Sequence, residues 1–227
     1  MIRTSAHKPL VHVTLAATNL LGLFLAVYLP AFAIVAALRL PMNRAVPTII
    51  TLTLLAAASL ILFIARRKAR PIATFGFRAT QMRYLAYALA FGVPLSAIAA
   101  LLLGQFREPG PLAGLHIAPW LAFIYFGLGA PIQEEVIFRG LLQTTLCMNL
   151  ATTPSATANT GGIAILAVAA LFAAIHLAVG PMTAVCAFVL AILAGELRRR
   201  SGSLSPAILA HSLFNIAGII LAIQRDA

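Results

Sequence analysis

Apolar residues in this chain come in long continuous runs, broken by short polar or basic stretches. The period-2 alternation that a membrane barrel requires is missing. Runs of about 20 apolar residues are the length of helices that cross a bilayer. Seven are predicted: 13–38, with Pro30 as a kink; 47–65; 84–104; one starting near Pro119; 162–179; 181–197; and 204–223. The fourth is expected to break at 129–131, where Gly129 and Pro131 stand, and to restart as a second helix. The pattern predicts an all-α, polytopic membrane helix bundle of about seven (six to eight) transmembrane helices. It predicts one membrane domain over 1–227, with short linkers and no internal repeat. The first run exceeds the roughly 7–15-residue core of a cleaved leader. Arg3, Lys8 and the "AFA" at 31–33 therefore read as parts of a span rather than of a signal peptide.

Composition agrees. The chain is 62% hydrophobic and 9% charged, with a mean hydropathy of +1.00, against roughly 45–50% apolar and 25% charged in soluble domains. A net charge of +11 would raise nucleic acid as a partner in a soluble protein. Here the basic residues sit between apolar runs with no interleaved aromatics, so the expected partner is membrane lipid and not nucleic acid. Cys147 and Cys186 lie in apolar surroundings without metal-type spacing and read as small core residues. Cytoplasmic flanks carry the excess of Lys and Arg. With the N-terminus inside, 11 basic residues fall inside and four outside, and Arg139 lies within a helix. "RRKAR" and "RRR" carry most of that bias, and 71–83 is expected to lie along the cytoplasmic interface. An Ala- and Arg-rich composition points to a GC-rich bacterial genome and hence a plasma membrane.

Against this background the acids are conspicuous. There are five, Glu108, Glu134, Glu135, Glu196 and Asp226, and two stand together in "GAPIQEEVIFRG". Ionisable groups at membrane depth are costly and by default mark function. Glu135 and Arg139 are i and i+4 in the favourable order for an ion pair. That pairing neutralises Glu135 and leaves Glu134, about 100° around the helix, free for general base and acid work. Phe172 and His176 in "ALFAAIHLAVG" are also i and i+4, as are His211 and Asn215 in "ILAHSLFNIAG". Each pair shares a helix face. The imidazole and amide of the last pair could hold a developing oxyanion, or simply bond across helices; a lone His176 could equally bond a backbone. A free Glu, two His and an Asn together are an inventory for activating water and polarising a carbonyl.

Absences narrow the chemistry. There is no HExxH zinc motif, no second membrane aspartate and no G-x-S-G. The segments "EEVIFRG", "FAAIH" and "AILAGELRRRSGSLSPAILAHSLFN" resemble the three motifs, EExxxR, FxxxH and HxxxN or HxxxD, of the CPBP (CAAX protease and bacteriocin-processing, Abi) family of intramembrane proteases. The resemblance covers 119–223 as a catalytic core, with 1–118 as additional N-terminal helices. It implies hydrolysis of a peptide bond in a membrane-bound or lipidated peptide or protein. By the same resemblance Glu134 is the water-activating base and His176 helps hold the water. His211 and Asn215 bind the oxyanion, with Glu135, Arg139 and Phe172 in support. No cofactor is favoured, because Glu134 is needed as the base. Zn²⁺ or another divalent metal on Glu134, His176 and His211 stays open.

Other residues read as ordinary. His7 and His12 are interfacial, His116 lies near Trp120 in an interface belt, and Glu196 pairs with Arg200. Glu108, Asn149 and Asn159 lie in or near loops. A proton-coupled transporter is the rival reading, but the chain is short and lacks paired repeats with broken helices. A non-catalytic scaffold or immunity protein would be expected to carry a damaged motif. One conflict stands. At 1.5 Å per residue, Glu134 and His211 fall about 10 Å from the cytoplasmic side and His176 about 20 Å. Tilt, a break at Pro131, or a fifth helix that starts beyond the membrane edge would reconcile them.

The charge bias generates a test of orientation. Cysteines placed at Lys68 and Arg199 should resist an impermeant thiol reagent in intact cells and react after permeabilisation. Labelling of either from outside would overturn the assignment.

Overall fold

The computed structural model describes residues 7–106, 117–151 and 160–226, and only the backbone of 7–13, 225 and 226. Arg3, Arg107, Glu108, His116 and Asn159 lie outside the described residues, as do the side chains of His7, Lys8, His12 and Arg225. The described residues contain no strand. They form seven helices: α1 (His7–Ala37), α2 (Met42–Arg67), α3 (Met82–Phe106), α4 (Pro119–Ala151), α5 (Thr160–His176), α6 (Pro181–Ser201) and α7 (Ser205–Asp226). A one-turn 3₁₀ helix, Ile72–Phe75, lies between α2 and α3. Six of the seven are long and apolar enough to cross a membrane, whereas α5 has 17 residues. The protein is a multi-pass helical membrane bundle.

The expected break at 129–131 does not occur. α4 continues through Pro131, and its turns widen to i→i+5 spacing over Phe123–Gly129 and again over Val136–Gln143. Proline removes one donor from a helix and crowds the carbonyl a turn before it. A wide turn next to it absorbs the mismatch without ending the helix. Pro30 likewise stands inside an unbroken α1.

Small residues set the spacing between helices, as they do wherever helix association cannot draw on hydrophobicity. α5 packs on α6, α3 on α7 and α1 on α2. A Cβ on Gly195 of α6 would stand 3.0 Å from Ile165 of α5 and 3.2 Å from the Gln143 amide oxygen of α4. One on Gly92 of α3 would be 3.3 Å from the Ala210 backbone of α7. These contacts also fix depth. Gly161, at the start of α5, stands against Arg199 at the charged end of α6, and Ile165 stands against Gly195. α5 therefore begins at the level of the arginines that end α6. At 1.5 Å per residue it brings His176 to the group of His211 and Arg139 around Phe172, so the expected difference in depth does not appear.

The segment 71–83 is tied to the end of the bundle, with the apolar side chains of Ile72, Phe77 and Met82 exposed. Phe75 is fully buried. The Thr74 carbonyl accepts from Arg198 Nη2 at 2.7 Å, the Gly76 carbonyl from Leu204 N at 3.0 Å, and the Arg78 carbonyl from the Ser203 hydroxyl at 2.7 Å. Gly76 has φ +95°, and a Cβ there would lie 2.7 Å from Arg198 Nε. Only glycine meets both demands. Arg198 is thus a buried staple, 8% exposed, and not the solvated flank that the "RRR" run suggests. Asn149 sits in the last turn of α4, next to the loop that follows it.

Gly195 gives the packing test. Gly195→Val forces side-chain bulk against Ile165 and Gln143, and overpacking of this kind costs about 1–3 kcal/mol. Thermal unfolding in detergent should show a clear loss, whereas Gly22→Ala, with nothing within 4 Å of its Cβ, should not.

Candidate active site

α4 carries two adjacent carboxylates, and the helix sends them to different surroundings. Glu135 is fully buried, as is Arg139, one turn further on. Arg139 Nη1 donates to Glu135 Oε1 at 2.9 Å, which is the ion pair expected from their spacing. Its Nη2 donates to the Ala191 carbonyl of α6 at 3.1 Å. Its guanidinium carbon stands 5.1 Å over the Phe172 ring of α5, in cation–π range. Thr144 adds a donor to the Arg139 carbonyl at 3.0 Å.

His211, buried on α7, closes the set. Its Nδ1 lies 2.8 Å from Glu135 Oε1, so that oxygen accepts from both Arg139 and the imidazole. A carboxylate that holds one ring nitrogen fixes the orientation of the ring. Nε2 then faces Glu134, with 3.5 Å between it and Oε2, which is long for a hydrogen bond. Glu134 keeps 19% of its side chain exposed. The pair therefore divides as its helical positions require: one carboxylate is spent on structure and the other is accessible.

Phe172 is buried among the rings. It stands 4.5 Å from His176, 5.7 Å from His211 edge-on, and 4.9 Å from Phe138 edge-on. His176 and His211 thus flank one aromatic side chain, although they come from different helices. The His176 Nδ1 donates to the Phe172 carbonyl at 2.7 Å, which leaves Nε2 as the acceptor of that ring. Asn215 takes a different partner. Its Nδ2 donates to the Phe126 carbonyl in α4 at 2.8 Å, the helix–helix bond that its position on a membrane helix allows. Phe126 lies in the first wide turn, where carbonyls are displaced from the regular ladder. Asn215 therefore anchors that turn, and one amide hydrogen remains uncommitted.

Two residues were not legible as site components. Gln133 Nε2 donates to the Tyr28 hydroxyl of α1 at 3.1 Å, and Tyr28 lies within electrostatic reach of Glu134. α1 thereby joins the site. The one signal in the sequence was a glutamine beside the glutamate pair, and it named no partner. Among the described residues no three His, Cys, Asp or Glu side chains are grouped to hold an ion, although Glu135 on His211 Nδ1 leaves Nε2 free, as in a metal-ligating histidine.

Residues 116–217, a little under half of the chain, match the family model described as type II CAAX prenyl endopeptidase Rce1-like. The match contains α4, α5 and α6 and the part of α7 that carries His211 and Asn215. No curated protein and no solved structure matches the chain.

Removing one member of a buried ion pair leaves an uncompensated charge and costs about 3–5 kcal/mol. Arg139→Leu and Glu135→Gln should therefore lower the unfolding temperature in detergent sharply. Glu134→Gln, at a partly open position, should leave it near that of the parent protein. Equal stability of all three variants would mean that the pair does not hold the bundle.

Proposed function

Because residues 116–217 match the family model described as type II CAAX prenyl endopeptidase Rce1-like, we propose that the protein is an intramembrane endopeptidase in which Glu134 activates the attacking water. The observation that carries this reading is the partition of the glutamates. Glu135 is paired and buried, whereas Glu134 is partly open and faces an imidazole that Glu135 holds in place. Its substrate is a membrane-associated peptide or protein, and its setting is a bacterial plasma membrane with the N-terminus in the cytoplasm.

The reaction balances on these side chains alone. Glu134 takes a proton from water, and the hydroxide attacks the scissile carbonyl. His176 Nε2 accepts a hydrogen bond from the same water and orients it. The resulting oxyanion needs donors. His211, with Nδ1–H on Glu135, supplies one through Nε2–H when the imidazole carries both ring protons. The uncommitted amide hydrogen of Asn215 supplies a second. Glu134 then returns its proton to the leaving nitrogen as the C–N bond breaks. Arg139 and Phe172 hold the imidazoles in register and do not touch the reacting atoms. The family match favours hydrolysis over a proton-coupled carrier, and no observation favours a scaffold.

Cleavage of a membrane-peptide library by the detergent-purified protein tests the reading. Glu134→Gln should remove turnover while the fold is kept. Loss of an oxyanion donor costs about 10²–10³-fold, so Asn215→Ala should retain weak activity. Glu135→Gln should keep some turnover per folded molecule. If Glu134→Gln stayed active and Glu135→Gln did not, the roles of the pair would be reversed. Metal analysis of the active protein, with chelation and re-addition, decides whether an ion takes part.

A further inference from the structure

The proposed peptidase chemistry leaves one charged cavity unused. A cleft of about 570 Å³ lies between the start of α3 and the end of α6, lined by Arg78, Arg83, Arg199 and Arg200 together with Thr80 and Tyr84. Glu196 is the acid that meets this group. It accepts from Arg199 at 2.6 and 2.7 Å and also pairs with Arg200. Arg78 and Arg83 have no carboxylate partner among the described residues. Four guanidinium groups therefore share one carboxylate, and the cleft holds an uncompensated positive charge. The Thr80 hydroxyl is buried and has no hydrogen-bond partner among the described residues. Like charges gather in a built cavity at a cost, and an anion relieves it. Guanidinium forks match the oxygens of a phosphate.

The surface below the cleft narrows the identity of the anion. Tyr84, Tyr87 and Phe91 form a continuous stripe along α3, with ring centroids 6.1 and 6.5 Å apart. Tyr87 is 48% and Phe91 59% exposed. The stripe starts at the cleft and runs about 10 Å down a membrane-crossing helix, at 1.5 Å per residue. A free phosphate would have no use for it, whereas a lipid chain would cover it. Tyrosine at the head-group level with basic residues above it is the arrangement that holds an anionic lipid. We propose that this cleft binds the phosphate of an anionic phospholipid whose acyl chain lies along Tyr84, Tyr87 and Phe91.

The test uses the full chain in nanodiscs or detergent with a fluorescent phosphatidylglycerol as the probe. Arg78→Gln with Arg83→Gln should weaken binding by more than about tenfold, since each basic residue near a lipid surface contributes roughly one factor of five. Both side chains are exposed, so the variant should fold. Arg66→Gln with Lys68→Gln, which removes the same charge outside the cleft, should weaken binding several-fold less. Tyr87→Ala with Phe91→Ala should weaken the lipid but not inorganic phosphate. Three results would overturn the proposal: an equal loss in the Arg66/Lys68 variant, equal binding of phosphatidylcholine, or displacement of the lipid by millimolar inorganic phosphate. Displacement by a soluble acidic peptide at the concentration of the lipid would place a protein segment in the cleft instead.

Discussion

A charge pair fully removed from water governs this bundle. Glu135 and Arg139 are both inaccessible, and the desolvation of two ions in low dielectric is repaid only when the remaining donors and acceptors find partners. Here the partners are distributed, although Glu135 Oε2 and Arg139 Nε find none among the described residues. Arg139 reaches a carbonyl of α6 and an aromatic face of α5, and Glu135 reaches an imidazole of α7. Satisfying one ion pair therefore requires four helices to assemble in one register. The same bonds set the direction of His211, and through it the side of the ring that meets Glu134. Stability and the geometry of the candidate site rest on one set of contacts.

Close helix packing makes that assembly possible. Gly195 lets Gln143 and Ile165 approach the backbone of α6, and the Gln143 amide donates to the Gly195 carbonyl at 3.2 Å. A larger residue at that point would separate α4 from α6 and stretch the bond from Arg139 to Ala191. Depth is set in the same way. α5 is short, and the packing of Gly161 on Arg199 sets where it starts, so that its final residue, His176, arrives beside the buried rings. The wide turns of α4 serve a related end. They carry the helix past Pro131, and one of them presents the Phe126 carbonyl to Asn215.

The basic residues at the end of α6 divide by burial rather than by charge. Arg198 is folded inward as a staple on the segment below the bundle. Its neighbours Arg199 and Arg200 share Glu196 at the rim of the basic cleft. Three consecutive arginines thus do two different things, because successive helix positions point about 100° apart and only one of the three faces the core.

The sequence alone determined what depends on composition and local period. Long apolar runs fixed helices, and their number, because no other open structure satisfies a backbone in lipid. The i, i+4 spacing fixed the Glu135–Arg139 pair and the stacking of Phe172 on His176, since both are neighbours on one helix. Glu135 and His211, Asn215 and Phe126, and Gln133 and Tyr28 are separated by 76, 89 and 105 positions. No local period encodes such pairs. They exist because glycine and alanine contacts bring the helices to particular depths and rotations. The continuity of α4 through Pro131 was decided there too, because whether a proline ends a helix depends on what the freed carbonyls meet. The sequence supplied the chemical groups and their helical faces; only tertiary packing decided which faces meet.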